Sequence, residues 1–166
     1  MKTQFQLFIT GILAIGLIAC NGKTNNNKED LNTNQKIDSV QVEQLNSYAS
    51  LFEIPATDIT RAINFYKTIL DIDIEKMEAP GMEMGIFPYE NQVINGVIMK
   101  AEGYAPSANG ITIYLNGGDN LQTILDKVEQ HGGKIIVPKT MHADESGYFA
   151  LFIDSEGNKM GLNSPN

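Results

Sequence analysis

Cysteine is nearly missing from this chain: Cys20 is the only one in 166 residues. That excludes an intrachain disulfide and any zinc site built on several thiolates. Tryptophan is absent, and histidine occurs only as His131 and His142, so imidazole-rich metal clusters are excluded too. Positive charge is scarce. There are 12 Lys and Arg against 20 Asp and Glu, for a net charge of −8. An acidic surface argues against a nucleic-acid partner and against docking on anionic lipid by charge alone. No G-x-S-x-G, H-E-x-x-H, G-x-G-x-x-G or heptad pattern occurs either, which removes the commonest hydrolase, zinc-protease, dinucleotide and coiled-coil readings.

What is present begins with a leader at residues 1–19. Lys2 supplies a positive start, and Leu7, Phe8, Ile9, Ile12, Leu13, Ile15, Leu17 and Ile18 supply an apolar run. The run is ~15 residues, short for a bilayer span and suited to a signal-peptide core. It ends in Leu17-Ile18-Ala19-Cys20, which resembles the bacterial lipobox. That resemblance implies cleavage before Cys20, lipidation of its sulfur and anchoring to a membrane on the extracytoplasmic side of the cell envelope. Losing Lys2 with the leader takes the charge from −8 to −9. Residues 20–47 then form the lipidated cysteine and a polar, Asn-rich tether. Few apolar side chains there offset ordering entropy, so a flexible coil spanning on the order of 30 Å is expected.

Residues 48–166 carry the patterns of a folded domain, and 42% apolar content allows an ordinary core. Residues 50–54 read as a strand, ended by Pro55. Thr57 or Asp58 caps a helix whose Ile59, Ala62, Ile63, Tyr66, Ile69 and Leu70 share one face. Strands are expected at 71–78, 82–87 and 93–101, with a turn at Pro80-Gly81. A Gly/Pro/Ser linker follows at 102–109. The order then recurs. Residues 111–115 form a strand, and Asp119 or Asn120 caps a helix with Leu121, Ile124, Leu125 and Val128 on one face. Gly132 and Gly133 end that helix. Strands follow at 134–137, 147–153 and 159–163, the last two joined by a turn at 155–158. The pattern is strand–helix–three strands, twice, an α+β fold of two modules at about 48–102 and 109–164.

FEIPATDITRAINFY at 52–66, LNGGDN at 115–120, GGKIIVPKT at 132–140 and GYFALFIDSEGNKMGL at 147–162 resemble the vicinal oxygen chelate superfamily. That family includes glyoxalase I, extradiol dioxygenases and bleomycin-resistance proteins. The resemblance covers about residues 49–163, with a glyoxalase-like subgroup nearest, and implies two βαβββ modules curled around a cleft. It also implies where divalent-metal ligands fall: Leu51, Asn95 or Gly96, Gly110 and Gly161. Leu and Gly offer no side-chain donor and Asn a weak one, so no metal and no other cofactor is expected.

Strand parity places Glu53 beside Leu51 on the cleft side, where a carboxylate among apolar walls serves as a general acid or base. Thr112 and Tyr114 share parity with Gly110, and Met99 and Asn95 join them; all are expected to contact ligand. Asn163 shares parity with Gly161, and His142 lies in the loop before Gly147, so both join the expected ligand set. The leading expectation is a membrane-tethered, metal-independent binder of an unidentified small molecule. A glyoxalase-like lyase or isomerase, metal-dependent or using Glu53, is the second. A structural or interaction module acting as a homodimer is the third.

Overall fold

A computed structural model describes residues 47–166. The leader, Cys20 and the tether lie outside the described residues. The first module comprises β1 (Leu51–Pro55), α1 (Ile59–Leu70), β2 (Glu75–Ala79), β3 (Met82–Ile86) and β4 (Asn95–Ala101). The second comprises β5 (Ile113–Asn116), α2 (Gln122–Val128) with a 3-10 turn at Glu129–His131, β6 (Lys134–Met141), β7 (Tyr148–Ile153) and β8 (Lys159–Ser164). Each module makes one four-stranded sheet, in the orders β1-β4-β3-β2 and β5-β8-β7-β6. β1 pairs parallel with β4, and β5 with β8; the other pairs are antiparallel. The doubled α+β architecture is therefore as expected.

Helix α1 forms where Asp58, in extended conformation, accepts a hydrogen bond from the Arg61 N–H at 3.0 Å. That satisfies one of the donors left open at a helix start. Its buried face is Ile59, Ala62, Ile63, Phe65, Tyr66 and Ile69. These side chains join Ile54 and Ile98 of the first sheet and Leu125, Val128, Phe152 and Leu162 of the second module in one contiguous core. Each fully buried Ile, Leu or Phe contributes ~1.5–3 kcal/mol, so both modules share one source of stability.

Several boundaries differ from the sequence expectation. The strand expected from residue 71 begins at Glu75. Asp71 instead ends α1 in the left-handed conformation, with φ 56°. The strand expected from residue 111 begins at Ile113. Just upstream the chain crosses the β7–β8 turn, where the Ser107 N–H donates to Asn158 Oδ1 at 3.0 Å and Ser107 O accepts from the Lys159 N–H. Those bonds hold the linker to the turn, while the β5 ladder begins at Ile113 against Met160. β6 runs on to Met141 through register shifts that accommodate Pro138, as an edge strand permits. Asn120 acts as expected, its Oδ1 accepting from the Gln122 N–H at 3.1 Å, with Leu121 already helical.

The turn between β7 and β8 ties the modules together. Asp154 is buried, and its Oδ1 accepts from the N–H groups of Glu156, Gly157 and Asn158 at 2.8–2.9 Å. Its Oδ2 accepts from the buried Tyr66 hydroxyl at 2.6 Å and from Asn158 Nδ2 at 2.9 Å. Asn158 Nδ2 also donates to the Pro55 carbonyl at 2.8 Å. Gly157 takes φ 104°, a conformation that favours glycine. The D-x-x-G-N turn thus serves the junction with β1 and α1.

Candidate functional site

Each sheet has one face toward the helices and one away from them. In the first sheet Ile54 and Ile98 enter the core, and a Cβ on Gly85 would meet Ile63 and Ile74. The alternate residues Leu51 and Glu53 on β1, Asn95, Val97 and Met99 on β4, and Met84 and Ile86 on β3 therefore face away. In the second sheet Leu115, Leu162 and Phe152 enter the core. Tyr114 and Asn116 on β5, Gly161 and Asn163 on β8, and Phe149 and Leu151 on β7 face away.

The second open face gathers three of the expected residues. His142 Nε2 lies 3.0 Å from Asn163 Oδ1. With Nε2 donating, a neutral ring keeps Nδ1 as an acceptor. The imidazole also sits against Phe149, ring centroids 5.1 Å apart and tilted by 34°. The 142–147 loop presents it: the His142 N–H donates to Gly147 O at 2.9 Å, and Glu145 turns the chain with φ 60°. Within that loop, hydrogen bonds from Ser146 hold the Asp144 carboxyl below its ordinary value, with a smaller contribution from nearby His142. Tyr114, half exposed, lies on β5 opposite Gly161. Its ring covers that glycine so closely that a Cβ on Gly161 would come within 2.4 Å of Tyr114 Cδ1.

The first open face holds the others. Glu53 is exposed, opposite Val97, and its Oε2 accepts from the Tyr104 hydroxyl at 2.7 Å. That bond, followed by burial, raises the Tyr104 pKa above its ordinary value. Tyr104 was not expected at the site, because it lies in the loop after β4, 51 residues along the chain. Asn95 opens β4 opposite Leu51 and is exposed. Met99 is buried on this face, outside the contiguous core. Thr112 lies one residue before β5 and is half-buried.

The residues present do not fit the divalent metal centre that the family resemblance implies. Leu51 and the glycines at 110 and 161 bring no donor, and the space over Gly161 is filled by the Tyr114 ring. Among the described residues no three His, Cys, Asp or Glu side chains gather. Two shallow depressions lie elsewhere: one at the β2–β3 end, and one between the C-terminal ends of the helices, lined by Lys67, Asp71, Lys127 and His131 among others.

A family model described as the Glyoxalase/Bleomycin resistance protein/Dioxygenase superfamily matches residues 44–162. A "Glyoxylase-like domain-containing protein" of Didymella fabae is 32% identical over 127 residues, 69% of this chain and 91% of that protein. Among solved structures, TnmS3, an antibiotic binding protein from Streptomyces sp. CB03234, superposes with a TM-score of 0.56 at 20% identity, covering 74% of this chain and 98% of that one. A glyoxalase I mutant from Zea mays superposes with a TM-score of 0.54 at 18% identity, covering 70% of this chain. This chain spans 45% of the maize chain. At such identities the structural matches speak to the fold alone.

Proposed function

Because this chain belongs to the glyoxalase/bleomycin resistance protein/dioxygenase superfamily, we propose that it binds a small molecule on the open face of its second sheet, without a divalent metal. The observation that carries this reading is the grouping of His142, Asn163, Phe149 and Tyr114 around Gly161. Two aromatic faces suit a planar group. The Asn163 amide and His142 Nδ1 offer donors and an acceptor that fix orientation. The matching antibiotic binding protein on the same fold supports binding as a use of this architecture.

The test is a thermal-shift and calorimetric screen of small aromatic molecules against the whole protein. Binding is expected to survive chelation of divalent metals. His142→Ala and Gly161→Ala, the latter displacing Tyr114, are each expected to weaken it about tenfold, the value of one lost hydrogen bond or stacking contact. No ligand, a ligand indifferent to both changes, or binding that appears only with added divalent metal would overturn the reading.

The proposal includes a membrane tether through lipid on Cys20, supported by the apolar leader and Leu17-Ile18-Ala19-Cys20. In a bacterial host fed labelled palmitate, the chain is expected to carry label and sediment with membranes. Cys20→Ser is expected to lose both properties. Label retained by that variant would refute the assignment.

A glyoxalase-like lyase or isomerase is the second reading. The Glu53 carboxylate, held by the Tyr104 hydroxyl, favours it as the acid–base group. Turnover of a ligand from the same screen, lost in Glu53→Gln, would select this reading over binding alone.

A further inference from the structure

We propose that the open face of the first sheet binds one soft monovalent ion, Cu(I) or its analogue Ag(I), on a row of methionine thioethers. Met77 on β2 pairs directly with Met84 on β3, and Met84 with Met99 on β4. The three therefore form a single row across three strands. Gly85 and Ile98 face α1, so Met84 and Met99 face away from it. Met82 lies on the same face, two residues from Met84, flanked in register by Ala79 and Ala101. Of the methionines in the described residues, only Met141 and Met160 lie elsewhere.

Packing into the contiguous core around α1 does not account for this row, although Met99 is buried and Met84 half-buried on their own face. Met77 is 46% exposed and Met82 38% exposed, and Met99 is outside the contiguous core. The short side chains of Ala79 and Ala101 leave Met82 open to a depression of about 530 Å³, which Gly81 also lines. Of the three carboxylates at that depression, two are engaged by lysines: Glu78 pairs with Lys76, and Glu83 with Lys76 and Lys100, which leaves Glu102. Hard cations take about six or more oxygen ligands, and Glu102 alone does not supply them, whereas thioethers select soft ions such as Cu(I).

The geometry is within reach of methionine. Side chains directly opposite across strands start ~4.5–5.5 Å apart at Cβ. Metal–sulfur bonds of ~2.3 Å place three sulfurs ~4 Å apart around one ion. Met84 sits in the middle, and the flexible side chains of Met77 and Met99 reach inward from either side. The chain's net charge of −8 favours a cation at long range. This inference is independent of the proposed function, since it uses the other sheet and none of His142, Asn163 or Tyr114.

The test uses the full chain in detergent with Cys20→Ser, so that its only thiol does not compete. Ag(I) is titrated in nitrate buffer while native mass spectrometry counts bound ions and NMR follows ¹³C-labelled methionine methyls. Cu(I) under reductant is then measured by competition with a chromogenic chelator. One ion per chain is expected, with shifts at Met77, Met82, Met84 and Met99 and none at Met141 or Met160. Met84→Leu conserves volume and is expected to weaken binding at least about tenfold, since loss of even an outer-shell group costs that much at metal sites. Met77→Leu, at an exposed position, gives the same readout without risk to the fold. Met141→Leu is expected to change nothing. No stoichiometric Ag(I), binding unchanged in both Met84→Leu and Met77→Leu, or equal shifts at Met141 would overturn the proposal.

Discussion

Replacing Asp154 with Ala is expected to cost ~3–5 kcal/mol of folding stability, the range for removing one side of a buried polar network. Its carboxylate accepts five hydrogen bonds, three from the backbone of its own turn and two from Tyr66 and Asn158. Alanine would leave the Tyr66 hydroxyl, itself fully buried, without its acceptor, and a buried polar group so stranded costs ~1–3 kcal/mol by itself. Against a typical domain stability of ~5–15 kcal/mol this is a large fraction. Burial, then the charge and hydrogen bond of Asp154, pushes the Tyr66 pKa well above its ordinary value, so the phenol stays protonated and donating.

Urea unfolding would measure the effect as a lower midpoint at unchanged slope. Tyr66→Phe is expected to cost only ~1 kcal/mol, because Asp154 keeps its other four donors. The double variant is expected to be no worse than Asp154→Ala, since both remove the same bond. A loss under 1 kcal/mol in Asp154→Ala would show that the turn is not what joins the modules.

That junction shows where the sequence can and cannot be read. The apolar stripe of α1, the Asp58 cap, the Gly132 helix end with φ 93° and the turn at 155–158 are local features, and local rules found them. The reach of Asp154 to Tyr66 spans 88 residues and that of Glu156 to Thr57 spans 99. Nothing local distinguishes these carboxylates from ordinary turn residues. His142 and Asn163 were each legible as polar residues near the open face, but their pairing depends on how the β6–β7 loop folds back over β8. The start of β5 at Ile113, two residues after the pattern begins, is likewise not marked locally, since the linker before it is bonded to Asn158 across the chain. The methionine row was partly legible. A hairpin turning on Pro80-Gly81 puts Met77 opposite Met84 by symmetry, but bringing Met99 into line required the β3–β4 register.

Acid is expected to weaken the same junction through Glu156. The side chain of Glu156 is fully covered. Its Oε2 accepts from the N–H groups of Thr57 and Asp58, the Thr57 hydroxyl and Arg61 Nη2, all at 2.9–3.0 Å, and Oε1 accepts from Arg61 Nε at 2.7 Å. Burial alone would push this carboxyl up. The bonds from Arg61, then from the backbone of Asp58 and Thr57 and the Thr57 hydroxyl, outweigh it and hold the pKa at about 2, against an ordinary 4.5. Because the folded value is the lower one, the unfolded chain takes up the proton first as pH falls. The stabilisation is therefore complete above about pH 4.5 and is lost as pH drops through about 2. At 1.36 kcal/mol for each pH unit, the whole contribution is at most ~3 kcal/mol, reduced by solvent screening at the half-exposed Arg61. Other carboxylates titrate in the same window; hydrogen bonds from Lys100 and then Lys76 lower Glu83, for example. The measurement is therefore a difference: urea unfolding of the protein and of Glu156→Gln at pH 7, 5, 4 and 2.5. The variant is expected to start ~1–2 kcal/mol less stable at pH 7 and to lose less on acidification, so that the two curves converge toward pH 2.5. Parallel curves would show that the charge on Glu156 does not hold the start of α1 to the second module.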